Sequence, residues 1–263
     1  MIKYFRIYKS LLLMSIKTEL EYRANFIIGY MVEVGWMLVY FAFYRVVFLK
    51  TNALAGWDYG SMLVFIGVSG LLSALVYGAF VIWNFKKLPD HVRSGELDSF
   101  LLKPLNTQFY VSMGRPYPLS FLSTALPLFL IYWGFKTLGF FPDLWDLAIS
   151  GGVFACGVIL SYSLWFMTLM PVFWTNRLFN IPDVFGELRD VSKYPLDLYS
   201  TALRMVFTFI LPFAFMTTFP AKALLGQTVW WWLPVAILMA GLSLWASSKL
   251  WQFALKHYSG ASA

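Results

Sequence analysis

The sequence predicts an all-α membrane protein: one transmembrane domain, 1–263, of six transmembrane helices, with an N-terminal amphipathic elbow helix and a short cytosolic helix between spans two and three. Three observations carry that prediction. Sixty per cent of the residues are hydrophobic, 13% are charged and the mean hydropathy is +0.67, well outside the mixture of soluble domains. Apolar runs recur at the length that a bilayer demands, about 20 residues each, and together they leave no room for a soluble domain. The basic residues gather at alternate span ends, as membrane orientation requires.

Residues 1–24 place Lys3, Arg6, Ser10, Lys17 and Glu21 at spacings of three, four and seven, one stripe of a helix. Lys9, Glu19 and Arg23 interrupt it, but a helix lying in the headgroup plane suits the pattern better than a span does. The uninterrupted apolar run 11–14 is too short for a signal-peptide core, so nothing is expected to be removed.

Spans one and two fill 26–84, at about 26–48 and 60–84, joined by a turn with Asn52, Gly56 and Asp58. Gly70, Ala74 and Gly78 recur every four residues in the second, a small-residue stripe that lets another helix approach closely. A charged loop, 85–108, follows. Pro89 suits the first turn of a helix and Gly95 its end, and 96–102 reads as a further turn or two showing Leu97, Phe100 and Leu101 on one side until Pro104 stops it. A loop that only connects two spans could be far shorter, so this one is read as a docking surface.

Spans three and four occupy 109–175: the third after Arg115 and Pro116 to about 138, the fourth from about 147 to 174, with Pro171 as a bend. The polar segment 176–200 carries both signs of charge and Pro182 and Pro195. Spans five and six fill 201–252. The fifth, 201–219, is broken by Pro212. Residues 220–226 form a turn that can dip into the outer leaflet, and the sixth starts at 229 with Trp230, Trp231 and Trp232 as an interfacial anchor. Residues 253–263 are a cytosolic tail.

With both termini in the cytoplasm, sixteen basic residues fall at inner segments and four, Arg45, Lys50, Lys136 and Lys222, at outer ends. An odd number of spans would destroy that asymmetry, and it makes both 85–106 and 176–200 cytosolic. The net charge of +7 is thereby explained by orientation, and no nucleic-acid partner is expected.

The chemistry-bearing residues are few. No Gly-Lys pair exists for a phosphate-binding loop, no G-x-S-x-G or H-E-x-x-H occurs, and the two histidines, His91 and His257, lie in separate segments. The single cysteine, Cys156, can form neither an intrachain disulfide nor a cysteine metal site. It reads as a packing residue, and no catalytic or metal site is expected. Glu33, in the first span with Trp36 and Tyr40 on its face, is the one clear intramembrane acid. It is either held by a neighbour's hydroxyl or basic group, or takes part in a substrate path or gate. Asn84, Arg115 and Arg204 read as anchors at inner span ends. The aromatic content, 20%, is mostly anchoring and core, with a weak pointer to an amphiphilic substrate.

VRSGELDSFLLKPLN at 92–106, YPLDLYSTALR at 194–204, ILPFAFMTTFPAKALLG at 210–226 and KHYSGASA at 256–263 resemble a branch of the type-two ABC exporter permeases, six-span subunits sometimes labelled toxin or drug exporters. The likeness covers nearly the whole chain in the same order, and 92–106 is its most specific block. It implies an elbow helix, a coupling helix at 85–106, and a re-entrant hairpin between spans five and six. It also implies a bacterial plasma (inner) membrane location, a second permease and a cytosolic P-loop ATPase dimer; for the permease pair a heterodimer is favoured, with a homodimer as the alternative. This chain then binds no cofactor, ATP and Mg belonging to the partner ATPase, whose contacts are expected at Asp90, Val92, Arg93, Glu96, Leu97 and Asp98. Closure of the ATPases would push on 85–106 and tilt spans two and three. The alternatives are a self-sufficient ion-coupled carrier using Glu33 and, more weakly, a membrane anchor for a soluble enzyme.

Overall fold

The structure is a computed structural model that describes residues 2–21, 23–81, 83–174 and 186–258. Much of the 176–200 segment and the last residues of the tail, 259–263, therefore lie outside the described residues. Among those described, five helices are long and apolar enough to cross a membrane: Ile27–Phe48, Tyr59–Arg93, Leu119–Leu138, Leu144–Phe173 and Trp232–Lys256. A bent pair, Thr201–Ile210 and Ala214–Leu224, supplies a sixth if it is taken as one span.

Helix α1 (Ile2–Glu21) precedes α2 (Arg23–Phe48). It exposes Phe5 and Met14 and rests against residues 104–109, with Tyr4 edge-on to Phe109 and Lys3 Nζ 3.4 Å from the Pro104 carbonyl. Helix α2 packs lightly, leaving Ile27, Ile28, Met31, Trp36, Val39, Phe43 and Val46 exposed. The second span is α3 (Tyr59–Val76), continued by a π-helical turn, Tyr77–Val81. Asp58 caps it by accepting from the Ser61 amide at 2.8 Å, as a short polar side chain at an N-terminus does.

Helix α3 packs most intimately on α8 (Ala125–Leu138), and glycines make that possible. A Cβ at Gly134 would lie 2.7 Å from the Gly60 carbonyl oxygen, and one at Gly67 would lie 2.7 Å from the Pro127 carbonyl oxygen. Backbone cannot retreat from such contacts as a side chain can. The expected stripe contributes too: Gly70 meets Met37 and Pro127, and Gly78 meets Ser120. The glycines of α3 that meet α8 backbone most closely, however, include Gly60 and Gly67, seven residues apart and outside the four-residue spacing.

Between α3 and α8 come a 3-10 turn, Phe85–Lys87, and four short helices: α4 (Leu88–Arg93), α5 (Glu96–Leu101), α6 (Thr107–Met113) and α7 (Leu119–Leu122). Pro89 does sit in the first turn of α4, and Gly95, at φ 74°, makes the left-handed corner between α4 and α5 that a residue with a Cβ resists. The fourth span, α9 (Leu144–Leu169), passes into a 3-10 turn at Met170–Phe173 that contains Pro171.

One expectation is corrected here. Residues 186–200 do not sit beside 85–106: Arg189 reaches Ser73 along α3, and Asp197 meets Trp57 and Lys222 at the opposite end of α3 from Phe85. Short 3-10 turns, Asp190–Lys193 and Leu196–Leu198, carry the chain along the bundle. Polar backbone is tolerated there because the protein satisfies it: the Thr217 hydroxyl donates to the Ser192 carbonyl and the Leu196 amide to the Thr218 hydroxyl. The break expected at Pro212 in the fifth span is present. Helix α10 (Thr201–Met205) and a π turn, Val206–Ile210, stop before Pro212, and a π turn, Ala214–Thr218, leads into α11 (Phe219–Leu224) after an 82° bend.

Helix α12 (Trp232–Lys256) ends the described bundle. Of the three tryptophans expected at an interface, Trp230 is exposed but Trp232 is buried and stacked on Phe219 at 4.4 Å, clamping α11 to α12. The core lies in two clusters. One runs from α4 and α5 along α9 and α12 and joins Phe85, Leu88, Leu97, Trp165, Phe166, Trp251 and Trp232; the other joins Tyr44, Trp57, Phe65, Phe135 and Leu224. Cys156 belongs to the first.

Candidate functional site

A cavity of about 290 Å³ opens between α2, α3 and α8 and is closed on one side by 189–193. Helix α2 contributes Glu33, Trp36 and Tyr40, so the three residues singled out on one helical face do line one space. The second span adds Ile66, Ser69, Gly70, Ser73, Ala74 and Tyr77, and Ser123, Leu126 and Pro127 come from the start of α8 and the turn before it. The glycine stripe thus shapes this space as well as packing the helices. Glu33 is held by the Ser123 hydroxyl, the neighbour's hydroxyl that a structural acid at this depth requires.

Two cations face the same space. Lys193 pairs with Asp190 at 2.7 Å and lies over the Tyr40 ring. Arg189, only 2% exposed, stands over the Tyr77 and Trp165 rings at 5.0 and 5.7 Å. Sequence reasoning missed both, since a charge within a polar, proline-marked segment is the ordinary mark of a solvated loop.

The second candidate is the α4–α5 corner. Leu88 and Leu97 are fully buried and Val92 and Phe100 pack against the same core, so one side of the corner is fixed to the bundle. Asp90, Arg93 and Glu96 are exposed and Asp98 is half-buried. Glu96 lies 2.6 Å from His91, and Asp90 is 3.9 Å from Lys87. The expected contact at Leu97 is corrected: its side chain points into the core, because the corner needs an apolar anchor where α5 begins. The apolar side chains offered outward are Leu101 and above all Leu102, 86% exposed.

The corner is tied to the spans by polar staples. Asn84, expected as an interfacial anchor, is buried; its amide donates to the Ala79 and Arg115 carbonyls and its oxygen accepts from the Arg115 amide, all at 3.0–3.1 Å. Gln108 and Ser112 of α6 both reach the Tyr162 hydroxyl of α9, at 3.1 and 3.0 Å. These hydrogen bonds join the residues flanking α4 and α5 to the segment before α7 and to α9. Among the described residues, no group of three or more His, Cys, Asp or Glu side chains could hold a metal ion.

A family model described as ABC-2 family transporter protein matches residues 34–262. No curated protein and no solved structure matches the chain.

Proposed function

The chain belongs to the ABC-2 family of transporter proteins, an integral membrane subunit of an ABC transporter, and from that premise we propose that it is an exporter permease driven by separate ATPase subunits docked on 85–106. The observation that carries the docking is the two-sided α4–α5 corner: Leu88 and Leu97 root it in the core while Asp90, Arg93, Glu96 and Leu102 face outward. A rooted, stapled corner with an exposed apolar and charged face is suited to a rigid relay, in which ATP-driven closure of the partners tilts the second and third spans.

A second permease completes the path. The wide apolar face of α2, from Ile27 to Val46, bounds the cavity and is the surface that lipid or that second permease would cover. Both termini are cytosolic in this reading, in a bacterial inner membrane, and ATP and Mg reside on the partner. For the permease pair a heterodimer is favoured, with a homodimer as the alternative. Arg189, Lys193 and Arg204 leave the inner side in this arrangement, yet the clusters around α1 and 85–106 still keep that side the more basic.

Purification of the chain from its native host in mild detergent tests the proposal. A P-loop ATPase and one or two permease species at matched stoichiometry are expected. A chain that emerges alone, under conditions that keep known ABC complexes intact, overturns the docking.

A further inference from the structure

The cavity is lined by a buried cation that makes no ion pair among the described residues. Arg189 Nη1 is 3.5 Å from the Ser73 hydroxyl, the outer limit of a hydrogen bond, and the buried Nε has no acceptor. Among the described residues Arg189 makes no ion pair, and the adjacent Asp190 is engaged by Lys193. The two aromatic rings attract the guanidinium, but a desolvated charge requires hydrogen-bonded partners as well. An arginine fork presents its donors in the plane that matches a carboxylate or phosphate.

The rest of the lining is apolar, with Trp36, Met37, Ile66 and Leu126. Trp36 is 65% exposed, so the wall it forms reaches the molecular surface on the apolar side of α2. We propose that this cavity binds an amphiphile through an anionic head, carboxylate or phosphate ester, seated on Arg189 with its tail along Trp36 and Met37. The inference rests on the transporter reading only in taking the cavity as part of the substrate path; binding itself needs no ATPase.

The test is native mass spectrometry of the purified full chain in neutral detergent, titrated separately with decyl phosphate, decanol and inorganic phosphate. One decyl phosphate per chain is expected, with decanol and inorganic phosphate about tenfold weaker or more, the scale of a lost charged hydrogen bond. Arg189→Gln should lose that preference, and Ala74→Phe, which fills the cavity and keeps the arginine, should lose binding altogether. Displacement of decyl phosphate by phosphatidylglycerol would support the proposal with a bilayer lipid as occupant, and no displacement would support it with a free amphiphile. Equal binding of decanol, tightest binding of inorganic phosphate, or unchanged decyl phosphate binding in Ala74→Phe overturns it. ATPase co-purification is read in parallel: a retained ATPase with no anionic amphiphile bound rejects this inference alone, and binding by a chain that never carries an ATPase rejects the exporter reading alone.

Discussion

The Trp57 indole donates to the Asp197 carboxylate at 3.0 Å across 140 residues of sequence. Lys222 joins them at 2.8 Å, so one acid ties together the turn after the first span, the irregular segment 186–200 and α11. The side chains are 18% and 23% exposed for the Asp197–Lys222 pair, which removes most of the screening that weakens a surface ion pair.

Asp197→Ala should therefore destabilise the chain by about 1–3 kcal/mol, read as a lower thermal midpoint in detergent, and Asp197→Asn should lose less because it can still accept from Trp57. A double cycle with Lys222→Ala should show coupling. Unaltered midpoints in all variants would mean that 186–200 is not held at this end of the bundle.

Gly134→Ala places a methyl 2.7 Å from the Gly60 carbonyl oxygen and should cost about 1–3 kcal/mol or more by overpacking. Gly241→Ala in α12 meets nothing within 4 Å and should be neutral or stabilise by up to about 1 kcal/mol through helix propensity. Fluorescence-detected size exclusion after a heating series separates the two, and equal behaviour would contradict the close α3–α8 contact.

Leu102→Asp changes a side chain that is 86% exposed, Leu97→Asp one that is fully buried. The first should insert and fold normally yet lose ATPase co-purification or substrate-stimulated ATP hydrolysis. The second should lose folded protein, since a buried unpaired carboxylate costs several kcal/mol, roughly, even after relaxation. Normal coupling in Leu102→Asp would remove that leucine from the docking face.

Glu33→Gln retains an acceptor for the Ser123 hydroxyl and removes the titrating group. ATP-driven transport in the assembled complex should persist within a few-fold, on the order of one lost hydrogen bond. A self-sufficient carrier would instead lose gradient-driven uptake entirely in this variant, and the chain reconstituted alone, with proton and sodium gradients imposed in turn, distinguishes the two.

Much of this was written locally. The 26-residue α2, the Pro89 and Gly95 punctuation of α4 and α5, and the end of α8 at Gly139 (φ 77°) follow from side-chain chemistry within a few residues. The face of Glu33, Trp36 and Tyr40 was legible for the same reason, since helical spacing alone puts them together. Leu97 was misread because amphipathic spacing identifies an apolar face but not whether core or partner covers it.

The sequence by itself determined which stretches are apolar enough to cross a membrane, where helices start and stop, and membership of a transporter family, because hydropathy, capping and motif are properties of neighbouring residues. Only the tertiary structure decided that 186–200 runs along the bundle, that the Thr201–Leu224 region is bent by 82°, and that Arg189 meets Tyr77, Trp165 and the cavity of Glu33. A charged segment carries the same local pattern in water or among partners. Its place is set by hydrogen bonds and ion pairs to residues far away in the chain, and local pattern does not encode them.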